Sequence, residues 1–243
     1  MKQIYWILAC FCSLTMASCG DMLEDIQPYL DKGEKIYVGK LDSISVLSGK
    51  NRIKIVGYMP YGTTQTQCAI HWLNPMGERG IKEFPVNRSN DVDEAFEFLF
   101  DNLLEGQYDF RIYTQDALGN SSIRVDRGGY SYGEVYQNSL YNREIDQITS
   151  EEVTIDGNLV RQATIQWKGL NNIGAQGCHV EYETLTGDAF GTIYVPIEES
   201  TTNITGYKPN GIVRWETTYL PDSASIDVFK TPMEELLLPE NNN

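Results

Sequence analysis

The sequence predicts an all-β protein of two tandem β-sandwiches, set behind an N-terminal signal and a short tether. Two observations carry that expectation. From Asp42 onward, apolar and polar residues alternate with period two in short runs separated by Gly, Asn, Asp and Ser. The layout of the first half also returns in the second at domain length. Cys178 stands 110 residues after Cys68, and Gly211 stands 105 after Gly106.

Residues 1–18 read as a signal peptide. Lys2 gives the positive start, residues 4–9 open an apolar run reaching about Met16, and Ala17 and Ser18 are the small residues before Cys19. Met16-Ala17-Ser18-Cys19 resembles a bacterial lipobox, which implies lipid attachment at Cys19 and a membrane partner through that anchor. Residues 19–40 are polar and acidic and read as a lipidated tether.

The first sandwich is expected over 41–128. Its strands are 43–47, 52–55, 67–72, 81–86, 95–100 and 108–114, followed by a turn at 117–120 and a return through Ile123 and Val125. Alternation points Cys68, Ile70 and Trp72 inward and His71 outward. Residues 129–145 form a Tyr-rich linker carrying Tyr130, Tyr132, Tyr136 and Tyr141. The second sandwich covers 146–232, with strands at 160–167, 178–182, 191–196 and 211–217, and 233–243 is a C-terminal tail. Ala163, Ile165 and Trp167 face inward, and Cys178 and His179 repeat the Cys68 and His71 arrangement. The two body cysteines are therefore expected as buried thiols in separate cores.

Leu104-Glu105-Gly106-Gln107-Tyr108 resembles the passage between the fifth and sixth strands of fibronectin type III modules, where a tyrosine hydroxyl ties back to the backbone. Trp167 resembles the inward tryptophan that ends their second strand. In the first copy that place falls on Gly57, and Trp72 is the expected filler. Residues 19–232 are similar to a family of uncharacterised Bacteroidetes lipoproteins. The resemblance rests on blocks at 33–43, 49–54, 105–122 and 219–229. It implies tandem fibronectin-like, immunoglobulin-like modules on a lipid anchor in the cell envelope, with the outer membrane expected and the leaflet open. Members often lie near glycan-capture genes, so carbohydrate or an outer-membrane protein is the partner class implied.

Thirty-four acidic against 19 basic residues give a net charge of −15, which repels a phosphate backbone and sets nucleic acid aside. Two histidines rule out a three-His metal centre. The run at 90–94 offers acidic oxygens but lacks an EF-hand's spacing, so a solvated loop is expected, with neither metal nor cofactor. No P-loop, GxSxG, HExxH or CxxC occurs, and the expectation is not an enzyme. Tyr113, Tyr130, Tyr132 and Tyr136 remain as ligand-stacking candidates, with packing in the interdomain groove as the plainer role for the linker rings. Asp42-Ser43-Ile44 and Asp222-Ser223-Ala224 resemble O-glycosylation triplets of that phylum, which nominates Ser43 and Ser223. The expected function is an accessory binding or presentation module, for glycans or an uptake complex. The alternative is a structural or adhesive protein of a surface assembly with no small ligand.

Overall fold

The computed structural model describes residues 37–87, 94–187 and 189–240. The signal at 1–18, Cys19 and most of the tether lie outside them, as does most of the acidic run at 90–94.

Seven strands build the first module: β1 (Asp42–Lys50), β2 (Arg52–Tyr58), β3 (Gln65–Leu73), β4 (Arg79–Pro85), β5 (Ala95–Asp101), β6 (Gly106–Asp116) and β7 (Val125–Tyr132). They form one sheet in the order β4-β3-β6-β7-β1-β2-β5. Its β7–β1 junction is parallel and short, formed by Gly49↔Ser131 and Lys50↔Tyr132. The sheet folds over there, so that β1-β2-β5 and β7-β6-β3-β4 face each other. Ile53, Ile55, Phe98 and Phe100 from one layer pack with Cys68, Ile70, Phe110 and Ile112 from the other. Tyr108 is buried, and its hydroxyl bonds back to the Leu104 backbone, the tie that the resemblance implied.

After the short helix α1 (Glu134–Asn138) come β8 (Ile145–Ile155), β9 (Asn158–Trp167), β10 (Ala175–Glu183), β11 (Phe190–Pro196), β12 (Thr201–Thr205), β13 (Ile212–Tyr219), β14 (Phe229–Lys230) and β15 (Glu234–Leu237). One sheet is β12-β9-β8. The other is β11-β10-β13-β14, with β15 also on β13. Two sheets around a second core of Ile165, Trp167, Val180, Val213 and Trp215 make the second immunoglobulin-like, fibronectin type III-like sandwich.

The copies match in detail. Cys68 pairs across the sheet with Thr114, and Cys178 with Thr217. The Thr114 amide donates to Ser122 Oγ at 3.0 Å, and the Thr217 amide to Thr231 Oγ1 at 2.8 Å. This equivalence corrects the 105-residue offset for that strand by an even number, which leaves every side chain on its expected face. Both cysteines are free and buried, and burial pushes the Cys68 thiol up to about 12.

Four boundaries and fillings differ from expectation. Residues 129–132 belong to β7, because their backbone pairs with β6. Residues 145–155 form a strand although they carry little period-two contrast, because most of their side chains are exposed. Part of the expected tail is β15, paired from Leu237↔Ile212 to Glu234↔Trp215. The space beside Gly57 is filled by Leu41: a Cβ on Gly57 would lie 2.7 Å from Leu41 Cγ. Trp72 instead sits at the end of the core, half-buried, over Gly80, where a Cβ would lie 2.3 Å from its ring.

Candidate functional site

Among the described residues, side chains with chemistry to offer gather in a groove on the outer face of the first module and in the seam between modules.

The groove follows from strand alternation. Residues that alternate with the buried Ile70, Phe110 and Ile112 point outward, which brings His71 and Leu73 of β3 beside Asp109 and Arg111 of β6. Pairing sets Leu73 between Arg79 and Asp109, and His71 between Ile81 and Arg111. These side chains enclose a groove of about 380 Å³. A second groove, of about 390 Å³, continues over β7 toward Arg124, Asp126 and Arg127, with Asp109 and Arg111 on the shared ridge. Arg124 is neutralised by Asp126 at 3.0 Å. Among the described residues, Arg79 and Arg111 have no such partner.

In the seam, the end of β1 and start of β2 grip the 222–229 loop. Arg52 Nε donates to Asp227 Oδ2 at 2.7 Å, and Nη2 bonds the other carboxylate oxygen, a bidentate pair. The Lys50 amide donates to Asp227 at 2.7 Å, Ser48 Oγ to Asp222 at 2.6 Å, and the Ile226 amide to the Ser48 carbonyl at 2.7 Å. Hydrogen bonding to Arg52 holds the Asp227 carboxyl below its ordinary range, and the same bond raises the Arg52 guanidinium. Gly49 makes the approach sterically feasible, since a Cβ there would lie 2.6 Å from Asp227 Oδ2.

Beside this strap, Tyr130 and Tyr132 stand with ring centroids 4.7 Å apart, and Tyr132 and Tyr136 4.8 Å apart. Their planes are tilted by 48° and 57°. Tyr136 meets the buried Phe229 edge-on at 5.0 Å. Burial raises the Tyr132 and Tyr136 phenols. Glu105 caps the turn into α1, accepting from the Val135 and Tyr136 amides at 2.7 Å each.

The residues nominated from sequence therefore separate. Tyr130, Tyr132 and Tyr136 gather in the seam. Tyr113 lies on the outer face of β6 beside the groove, its ring 5.1 Å from that of His71. Ser43 and Ser223 are exposed, Ser43 at the start of β1 and Ser223 in the seam loop. Cys19 falls outside the described residues. Among the described residues no cluster of three metal-ligating side chains occurs. Arg79, Asp109 and Arg111 were not singled out from sequence, although the alternation of 108–114 already placed Asp109 and Arg111 outward.

A family model described as a domain of unknown function, DUF4998, matches residues 19–229. No curated protein matches the chain. Among solved structures, a two fibronectin type III domain segment from chicken tenascin is 13% identical, covering 82% of this chain and 99% of that one, with a TM-score of 0.32. The chicken CNTN1 FN1–FN3 domains are 11% identical, covering 85% of this chain and 65% of that one, with a TM-score of 0.42.

Proposed function

Given that the chain belongs to the DUF4998 family, a domain of unknown function, we propose from its own geometry that it is a non-catalytic, lipid-anchored envelope protein presenting a binding face. The lipobox-like residues 16–19 support the anchor, with the outer membrane as the expected address. The observation that carries the binding role is the groove over β3, β4 and β6. It is a concave surface on strands, lined by two guanidiniums, Arg79 and Arg111, that make no ion pair or hydrogen bond among the described residues. Pockets of about 300–1,000 Å³ with a few placed polar groups are the usual form of a ligand site.

The seam supports presentation. Modules joined by a small polar interface move freely by default. Here a bidentate ion pair, backbone hydrogen bonds and packed aromatic rings strap them together. We assign Tyr132 and Tyr136, both packed on Phe229, to that cement, with the more exposed Tyr130 resting on Tyr132, since rings tilted against one another offer no flat platform to a sugar. The expected partner is a glycan or an outer-membrane protein of an uptake complex.

A structural or adhesive role is favoured by one feature. Leu236 and Leu237 are exposed on the edge strand β15, where strand addition by another chain would pair open backbone groups. The test is a glycan array and an envelope-extract pull-down on the full chain in detergent, run beside Arg111→Ala. Retention that the variant loses supports the binding face. No retention, or retention the variant keeps, refutes it.

A further inference from the structure

We propose that the groove over β3, β4 and β6 holds a carboxylate-bearing sugar, a hexuronate residue within a glycan. This rests on the binding role above and names its ligand class.

The charge ledger points there first. Every other lysine and arginine among the described residues has an ion-pair or hydrogen-bond partner. The partners are carboxylates for Lys40, Arg52, Lys54, Arg124, Arg161, Lys168, Lys208, Arg214 and Lys230. For Lys50 the partner is Gln137, and for Lys82, Arg127 and Arg143 it is backbone carbonyls. Arg79 and Arg111 alone have none, and both line this one groove. Acidic residues outnumber basic ones 34 to 19, so two unpaired guanidiniums on one face are not explained by a shortage of carboxylates. Sheet spacings put their Cα atoms roughly 12 Å apart, two strands across and two residues along. Both side chains line the same groove, within reach of one ligand between them. A guanidinium fork matches a carboxylate in two parallel hydrogen bonds.

The rest of the lining selects a sugar acid over other anions. Asp109, which makes no ion pair or hydrogen bond among the described residues, stands on the ridge, and its carboxylate can accept from the several neighbouring hydroxyls that a sugar ring presents and a simple anion does not. Leu73 and Ile81 offer apolar surface to a ring face. The net charge of −15 repels long polyanions at a distance, whereas a single carboxylate is met at close range by the two arginines. The second groove beyond the Asp109–Arg111 ridge gives the neighbouring sugar unit room.

The experiment is an NMR titration of the full chain in detergent with three probes. They are cellobiouronate, its neutral counterpart cellobiose, and a blocked glutamyl dipeptide of equal charge. Cellobiouronate is expected to bind at least tenfold tighter than either of the others. Arg79→Ala and Arg111→Ala should each weaken it tenfold or more, and Arg111→Lys by less, because charge remains but the fork is lost. Arg161→Ala, on the second module and paired with Glu152, should leave it unchanged. Equal binding of cellobiouronate and cellobiose, with Arg111→Ala weakening both, overturns the acid assignment while the binding face stands. Tighter binding of the dipeptide overturns the sugar assignment. No binding of any probe, together with a blank array, overturns both this proposal and the role on which it rests.

Discussion

Trp167→Ala is the sharpest test of the second core. The indole is 6% exposed and meets Trp215 edge-on at 6.2 Å. Emptying a buried tryptophan site costs about 3–5 kcal/mol. Three features place this one at the upper end. The Nε1–H donates to the buried Thr202 hydroxyl at 2.9 Å, a bond worth about 1 kcal/mol. The aromatic pair adds roughly 0.5–1.5 kcal/mol beyond area. The ring also carries the buried Arg143 guanidinium at 5.4 Å, whose Nη1 has no hydrogen-bond partner to fall back on. These terms overlap with the truncation range, so the expected loss is about 5 kcal/mol. Gln166, the next residue and outward-facing, should change stability by no more than about 0.5 kcal/mol on substitution by Ala. Urea melts of the two full-length variants, followed by far-UV circular dichroism so that losing a fluorophore does not confuse the signal, give the comparison. Matching midpoints would refute the inward register of β9.

Changing Cys19 to Ala should release the protein from the membrane fraction and stop incorporation of labelled palmitate; a variant that still fractionates with membrane contradicts the lipobox reading. The Arg52–Asp227 pair should give the seam a pH dependence. The folded carboxyl titrates below its ordinary 3.8, so its stabilisation is complete above that value and is lost as pH falls through the lower folded value. Pulsed dipolar distances between spin labels at Glu83→Cys and Asn158→Cys should therefore broaden only in that acid range. Asp227→Asn should already be broad at pH 7, and a narrow distribution there would exclude the pair as a strap. The combined change of Tyr132 and Tyr136 to Ala should widen the same distances at neutral pH, and an unchanged distribution would remove those rings from the cement.

Strand placement was legible wherever one face is buried and the other wet. In 108–114 the inward set Tyr108, Phe110, Ile112 and Thr114 alternates with Asp109, Arg111 and Tyr113, and the structure keeps every one on its face. β8 was not legible because its outer half, 151–155, runs past the sheet as a ribbon with both faces largely exposed, so no period-two contrast survives. Its signal was the turn at Asp156-Gly157, where both residues take positive φ, 51° and 80°, as a tight hairpin demands. The seam was visible as a tyrosine cluster but not as a strap, since Arg52 and Asp227 lie 175 residues apart and read singly as solvated charges. The groove was half visible. Alternation gives outward orientation, but which arginines lack a carboxylate is a property of the folded surface alone.

The outer face of β3, β4 and β6, and not the tyrosine seam, is the surface expected to receive ligand. Amide shift mapping of the isotope-labelled full chain in detergent, titrated with the strongest binder from the array, tests this most directly. Shifts should concentrate at His71, Leu73, Arg79, Ile81, Asp109 and Arg111, leaving Tyr132 and Tyr136 unmoved. Shifts centred on Tyr130, Tyr132 and Tyr136, with the groove silent, would contradict it.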